Sequence, residues 1–251
     1  MDTSQELSRW VERLKRTLSI IPEGRQRFVL LVKRITALPP EEAAEVFLLL
    51  VRAGLKVRDR PSKLALEALM RVLAEDQWPR EHLSETRASA QANEYTLVSN
   101  LLDLDWTNGT AAEDDSFPVP NYTGGRPLTL GERRSLASRP DRRLLEMAVR
   151  DPHPMVIAKL LDNPRLTEKD VMFIATRRPA PAEVLTELGT HPKWRLRRRV
   201  ALALCLNPHT PVRISITLLL SLPVEDIVSV AENERLYARL RIAAMAVLDQ
   251  L

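Results

Sequence analysis

The densest cluster of charged side chains is the basic stretch 193–199, which reads Lys-Trp-Arg-Leu-Arg-Arg-Arg. If it is helical and Leu196, Val200 and Leu204 face the core, three arginines project from the opposite face. Guanidinium groups at that spacing form paired hydrogen bonds with carboxylates or phosphates. The alternative is a solvated face with the tryptophan packed at a repeat junction. The candidate partner-binding residues are Lys193, Trp194, Arg195, Arg198 and Arg199.

A second basic strip lies near the N-terminus, where Arg9, Arg13 and Arg16 share one helical face with Lys15. This face lies behind an apolar stripe formed by Leu7, Val11, Leu14 and Leu18. Such a helix could dock on a partner or lie on a membrane surface. Because Glu6 and Glu12 interrupt the strip, the exposed face of a packed helix is the other interpretation.

No group of residues has the spacing of a known catalytic, metal or cofactor site. The four histidines do not share one helical face, and the single Cys205 lies in an apolar run, so zinc and Cys-His chemistry lack the ligands they need. The acidic clusters are not those of a catalytic pair held in a cleft. Glu41 and Glu42 suit a helix start, and residues 113–115 suit a solvated loop. We therefore expect a protein that is not an enzyme and needs no cofactor or metal.

Charge is distributed unevenly along the 251 residues, although the net charge is only +4. Residues 61–125 hold 4 Lys and Arg against 11 Asp and Glu, whereas residues 126–251 hold 21 against 14. This asymmetry is typical of an electrostatic match within the chain or with a partner. The acidic start is not that of a secretory signal, and the longest apolar run, 46–51, is far below the roughly 20 residues of a membrane span. We expect a cytoplasmic protein of bacterial type.

Prolines mark the ends of short helices in the C-terminal half. They recur about every 12 to 16 residues, which is the length of a short helix plus a turn. Six consecutive helices of about 10 to 13 residues follow from this spacing. Capping boxes are expected at Thr129 and Thr167, and Thr210 is expected to cap a helix whose first residue is Pro211. The junctions are Asp151-Pro152, Asn163-Pro164, Arg178-Pro179, His191-Pro192, Asn207-Pro208 and Leu222-Pro223.

The N-terminal half is also predicted to be helical but lacks this punctuation. Dense apolar patterns predict helices within 7–18, 27–38, 40–53, 62–74 and 79–104. The pattern then fails over 105–127, which is rich in Gly, Pro and acids. We therefore divide the chain into an N-terminal helical bundle at 1–104, a flexible acidic linker or loop at 105–127, and a C-terminal helical-repeat region at 128–251.

Short helices that meet at Asn-Pro and Asp-Pro junctions resemble the α-solenoid repeats of HEAT and leucine-rich-repeat-variant proteins. The resemblance covers residues 128–251 and, more loosely, the first hundred residues. It implies an all-α fold of stacked helical hairpins. Members of these families serve as adaptors and scaffolds, and a few act on nucleic acids.

Two functions follow as hypotheses from the fold and the basic stretch. The first is a protein–protein interaction adaptor or regulator in the bacterial cytoplasm, for example in a signalling or cell-organisation module such as that of a small GTPase. The second is a HEAT-like nucleic-acid-binding protein that places a basic helical face on phosphates. Recovery of a protein partner favours the first, and salt-dependent binding to duplex DNA favours the second.

Overall fold

The computed structural model describes residues 3–56, 59–75, 78–103, 117–122 and 124–251. In these residues the chain forms fifteen α-helices and no β-strand, so the predicted all-α fold is confirmed. Two compact units are present. The first contains residues 1–106, 223–233 and 238–251, and the second contains 107–222 and 234–237.

The first unit contains eight of the described helices. They are α1 (Thr3–Ile20), α2 (Gly24–Ile35), α3 (Pro40–Lys56), α4 (Arg60–Glu75), α5 (Arg80–Ala92), α6 (Thr96–Leu101), α14 (Val224–Ala231) and α15 (Ala238–Leu248). Helix α3 packs against α1, α4, α5 and α6, and α15 packs against α6 and α14. The apolar run of α3 supplies the centre of the core, where Val46, Phe47 and Leu50 are fully buried.

The stretch 79–104, predicted as one helix, forms two helices with a turn at 93–95. Glu94 has a φ of 58°, in the left-handed region. The amide of Tyr95 donates to the carbonyl of Ala90 at 2.8 Å, which satisfies the end of α5. A helix end of this kind usually carries glycine, so no residue type at 93–95 marked the break.

The second unit contains a two-layered stack of seven short helices. They are α7 (Leu130–Ala137), α8 (Arg142–Ala148), α9 (Pro154–Leu161), α10 (Glu168–Thr176), α11 (Ala182–Thr190), α12 (Arg198–Cys205) and α13 (Val212–Leu219). Helices α7, α9, α11 and α13 pack in sequence to form one layer, and α10 packs on α12 in the other. Helix α8 joins the second layer through contacts with α10 described below. We call this arrangement, residues 130–219, the hairpin stack.

All six predicted proline junctions fall between helices. Six helices, α9 to α14, follow the six junctions, and they are eight or nine residues long rather than the predicted 10 to 13; α7, α8 and α15 complete the nine helices of residues 128–251. At several junctions the helix ends in a hydrogen-bonded turn before the proline, as where the amide of Asn163 donates to the carbonyl of Leu160, so these turns are longer than the proline spacing implied. The side chain of Asn163 also stabilises its turn. Its amide donates to the carbonyls of Ala137 and Arg139, and its Oδ1 accepts from the amide of Arg165.

Helix starts are partly as predicted. Both capping boxes are present: Thr129 pairs with Glu132, and Thr167 pairs with Asp170. The prediction for Thr210 was wrong. Helix α13 begins at Val212, Pro211 is its N-cap, and no side chain caps it. The buried Thr210 lies in the turn that follows Asn207, whose carbonyl accepts from its amide.

The end of the predicted linker is anchored to the second unit. Tyr122 is buried, and its hydroxyl donates to Asp151 at 2.7 Å. Burial and the Asp151 carboxylate raise the pKa of Tyr122. The fully buried Asp151 also accepts two hydrogen bonds from Arg133. Much of the predicted linker, residues 105–116 and 123, lies outside the described residues.

The last two helices belong to the first unit rather than to the hairpin stack. The sequence division placed α14 and α15 in a repeat region at 128–251, but α15 packs on α6. Helix α14 is short and follows Pro223, like the preceding helices, so the sequence does not separate it from them. Among the described helices, none is long and apolar enough to cross a membrane.

Candidate interaction surface

The basic stretch 193–199 is mostly a turn, and α12 begins only at Arg198. Trp194 is buried, and its indole N–H donates to the carbonyl of Leu161 at 2.9 Å. Lys193 is exposed and lies 4.1 Å from the centre of the Trp194 ring. The tryptophan therefore packs at a junction between consecutive hairpins, which was the alternative interpretation of this stretch.

The predicted orientation of two residues in this stretch was wrong. Arg195 is 8% exposed, whereas Leu196 is 43% exposed. The prediction extended the helical period backwards from Val200 and Leu204, which are indeed buried, into residues that are not helical. Arg195 therefore does not share an exposed face with Arg198 and Arg199, which both lie on the surface.

The N-terminal strip is partly as expected. Arg9, Arg13 and Arg16 are exposed on α1, opposite the buried stripe. Lys15, however, is buried, and its ammonium group donates to Ser62 and pairs with Glu12. This strip belongs to the first unit, whereas the basic stretch at 193–199 belongs to the second.

Three exposed cations occupy equivalent positions on successive helices of one layer of the hairpin stack. Arg143, Lys169 and Arg199 are each the second residue of their helix, in α8, α10 and α12. All three are exposed, and among the described residues no ion pair joins them to an acid. We call these three residues the cation row.

A row of apolar residues runs beside the cation row. Four residues further along each helix stand Met147, Phe173 and Ala203. Phe173 is 44% exposed, and the guanidinium of Arg150 lies over its ring at 5.7 Å from the centroid. Met147 and Ala203 are half-buried. Four residues correspond to about 6 Å along a helix, so this apolar row lies within one side-chain length of the cations.

Contacts between the helices hold both rows in register. Arg142 of α8 donates to both carboxylate oxygens of Asp170 of α10, at 2.7 and 2.6 Å. These bonds, with those from Thr167, lower the pKa of Asp170 to about 2. At the other end of α10, the side-chain amide of Asn207 donates to the carbonyls of Ala175 and Arg177.

The segment that contains the hairpin stack is strongly basic. Residues 117–222 hold 18 Lys and Arg against 9 Asp and Glu, so this segment alone carries a formal charge of +9. Its buried acids Asp151 and Asp170 already pair with arginines. The opposite layer carries exposed side chains of both signs, such as Glu183 and Lys159.

Comparison with known proteins finds no relative: no family model, no curated protein and no solved structure matches the chain.

Sequence reasoning missed most of this surface. The alignment of the three cations depends on where each helix begins. They are 26 and 30 residues apart in the sequence, which is further than a local sequence pattern extends. Alignment of the residues after Asp141, Thr167 and Arg197, which are the N-caps, would have placed the three cations at one position. Phe173 carried no signal, because an apolar residue in a short helix is expected to be buried.

Two of the histidines, His82 and His191, and the cysteine occupy structural positions. The ring of His82 accepts from the indole of Trp78 at 3.0 Å and bonds the carbonyl of Leu38. Burial lowers the pKa of His191, although its contact with Asp162 opposes this effect. Cys205 is fully buried, as predicted. Among the described residues, no group of three or more His, Cys, Asp or Glu could hold a metal ion.

Proposed function

We propose that this chain is a non-enzymatic adaptor or regulator and that the hairpin stack supplies its binding surface for another protein. The observation that carries the proposal is the cation row beside an apolar row with the exposed Phe173 at its centre. Exposed aromatic side chains and arginines are the residue types that contribute most binding energy at protein interfaces. Short stacked hairpins give such a surface a fixed spacing.

The resemblance to HEAT and leucine-rich-repeat-variant proteins supports the same proposal, since these repeats serve as adaptors and scaffolds. By this analogy we place the chain in the bacterial cytoplasm, in a signalling or cell-organisation module such as that of a small GTPase. We propose no catalytic step, because the buried carboxylates of Asp151 and Asp170 and the ring of His82 are engaged in structural contacts.

Affinity capture from a native lysate tests the proposal directly. The full-length chain, immobilised at low density, is expected to retain a protein partner in a near-stoichiometric amount at low salt and to release it as the salt concentration rises, since added ions screen the positive surface. Recovery of no stoichiometric protein partner under mild salt would contradict the adaptor function.

Nucleic-acid binding is the second candidate, and the same concentration of positive charge favours it. Binding to phosphates releases counterions, so affinity for duplex DNA would fall steeply between low and physiological salt. Absence of binding to a duplex at about 50 mM salt, where phosphate contacts are strong, would eliminate this candidate.

A further inference from the structure

We propose that the segment bound on the α8–α10–α12 face is a short acidic peptide segment of a partner protein, with one apolar side chain seated on Phe173. This inference rests on the proposed function and specifies the chemistry of the partner. The cation row Arg143, Lys169 and Arg199 receives the carboxylates, and the apolar row receives the hydrophobic side chain.

The spacing of the face determines the length of the segment. Packed helices lie about 8–10 Å apart, so the cation row extends over about 16–20 Å. An extended chain advances about 3.3–3.6 Å per residue, and about six residues therefore cover the row. Because the apolar row is offset by about 6 Å along the helices, one segment can contact both rows at once.

The central position of Phe173 argues for an apolar side chain within the segment. Its ring has one face covered by the guanidinium of Arg150, and 44% of the residue is left exposed. Met147 and Ala203 flank it at equivalent positions on α8 and α12. The exposed surface of such a ring contributes most to binding when an apolar side chain covers it and excludes water.

Acidic side chains on the same helices favour a peptide over a nucleic acid. Glu146 is exposed on α8, where it pairs with Arg142, and Glu168 is half-buried at the start of α10, next to Lys169 in the sequence. A nucleic-acid strand carries a negative charge at every nucleotide, so it meets these carboxylates wherever it crosses the face. A peptide can place a neutral or basic residue opposite each of them.

Fluorescence anisotropy with labelled synthetic probes tests this proposal on the full-length chain. The acidic probe is a peptide of about 12 residues, twice the length of the row, in which Glu residues flank a central Leu. Three comparison probes are the same peptide with the Leu replaced by Ala, the peptide with every Glu replaced by Lys, and an oligothymidylate of similar length. The variants are Arg199→Glu, Phe173→Ala and, on the opposite layer, the control Lys159→Glu.

Saturable binding of the acidic probe is expected, with the Ala probe weaker and the Lys probe unbound. Each of Arg199→Glu and Phe173→Ala is expected to weaken binding on the order of tenfold, as removal of one important interface residue does, while Lys159→Glu leaves it within about twofold. Circular dichroism establishes that each variant is folded. Because Arg199 and Phe173 are both exposed, either variant alone keeps the test valid if the other fails to fold.

Three results would overturn the proposal. They are no saturable binding of the acidic probe, equal weakening of its binding by Lys159→Glu and Arg199→Glu, and tighter binding of the oligothymidylate than of the acidic probe. These results are distinct from failure of the proposed function. If the partner captured from lysate binds the Arg199→Glu and Phe173→Ala chains as well as the parent, the chain is an adaptor that uses another surface. If no partner is captured, the adaptor function itself fails.

Discussion

Arg199→Glu is expected to make the fold more stable while it weakens partner binding. Helix α12 has no acid in its first turn, and its first two residues are the arginines Arg198 and Arg199. The N-terminus of a helix carries a partial positive charge, so cations there are unfavourable and acids are favourable. Arg199 therefore occupies its position at some cost to stability, which is typical of a residue kept for binding.

The size of the expected stabilisation follows from the interaction of residue 199 with the N-terminus of α12. Removal of the arginine and introduction of the glutamate each contribute about 0.3–1 kcal/mol at low ionic strength, so the variant gains on the order of 1 kcal/mol in its free energy of unfolding. For a chain of this size that corresponds to a rise in Tm of about 2–4 °C. Arg199→Gln, which only removes the charge, is the matched control and is expected to show about half of this gain.

Differential scanning calorimetry at low and high salt measures the effect. The gain in Tm should shrink at about 1 M salt, where the screening length is only about 3 Å. A fall in Tm for both variants would refute the reasoning, because it would show that the arginine side chain stabilises α12 through packing or an attractive contact.

Three further predictions concern the contacts that hold the hairpin stack together. Asn207→Ala removes two hydrogen bonds to carbonyls at the end of α10. Because this leaves buried polar groups unpaired, it should lower the free energy of unfolding in urea by about 2–3 kcal/mol. The control Asn93→Ala, at an exposed position, should change that free energy by under about 0.5 kcal/mol, and equal effects of the two variants would contradict the structural role of Asn207. Tyr122→Phe should destabilise by about 1–2 kcal/mol in the same assay, since the Asp151 carboxylate loses one buried donor, and an unchanged midpoint would show that Tyr122 is not packed as described. Arg142 lowers the pKa of Asp170 to about 2 in the folded chain. The ion pair therefore contributes to stability above the unfolded pKa near 4, and this contribution is lost as the pH falls towards 2. The stability of Asp170→Asn should lack this loss between about pH 4 and 2, and a pH profile identical to that of the parent would be inconsistent with the ion pair.

Local chemistry predicted much of the fold. Proline lacks an amide donor and disfavours helix in the residue before it, so the junctions at 151–152, 163–164 and 207–208 mark turns that the structure contains. The capping boxes at Thr129 and Thr167 are equally local, because both partners lie within four residues of each other.

Features set by tertiary contacts could not be predicted in this way. Glu94 adopts a left-handed conformation that its residue type does not favour, so α5 and α6 were predicted as one helix. The orientation of Arg195 and Leu196 depended on the start of α12, and the chosen start was several residues too early. The packing of α15 on α6 joins residues more than a hundred positions apart, and no local pattern records it.

The candidate surface required both kinds of information. The residue types of Arg143, Lys169 and Arg199 are visible in the sequence, but their common position depends on three helix starts and on the packing of one layer. The exposure of Phe173 follows from that packing as well. Sequence reasoning therefore found Arg199 within its basic stretch and missed the two cations aligned with it.

Quantitative affinity capture with four baits tests whether the cation row and Phe173 bind a partner protein. The baits are the parent chain, Arg199→Glu, Phe173→Ala and the control Lys159→Glu, each immobilised at the same density and exposed to the same native lysate. This binding role predicts that the parent and the control retain the same acidic protein in near-stoichiometric amounts, whereas the two surface variants retain on the order of a tenth as much. Equal retention by all four baits, or retention of no protein by the parent, would contradict it.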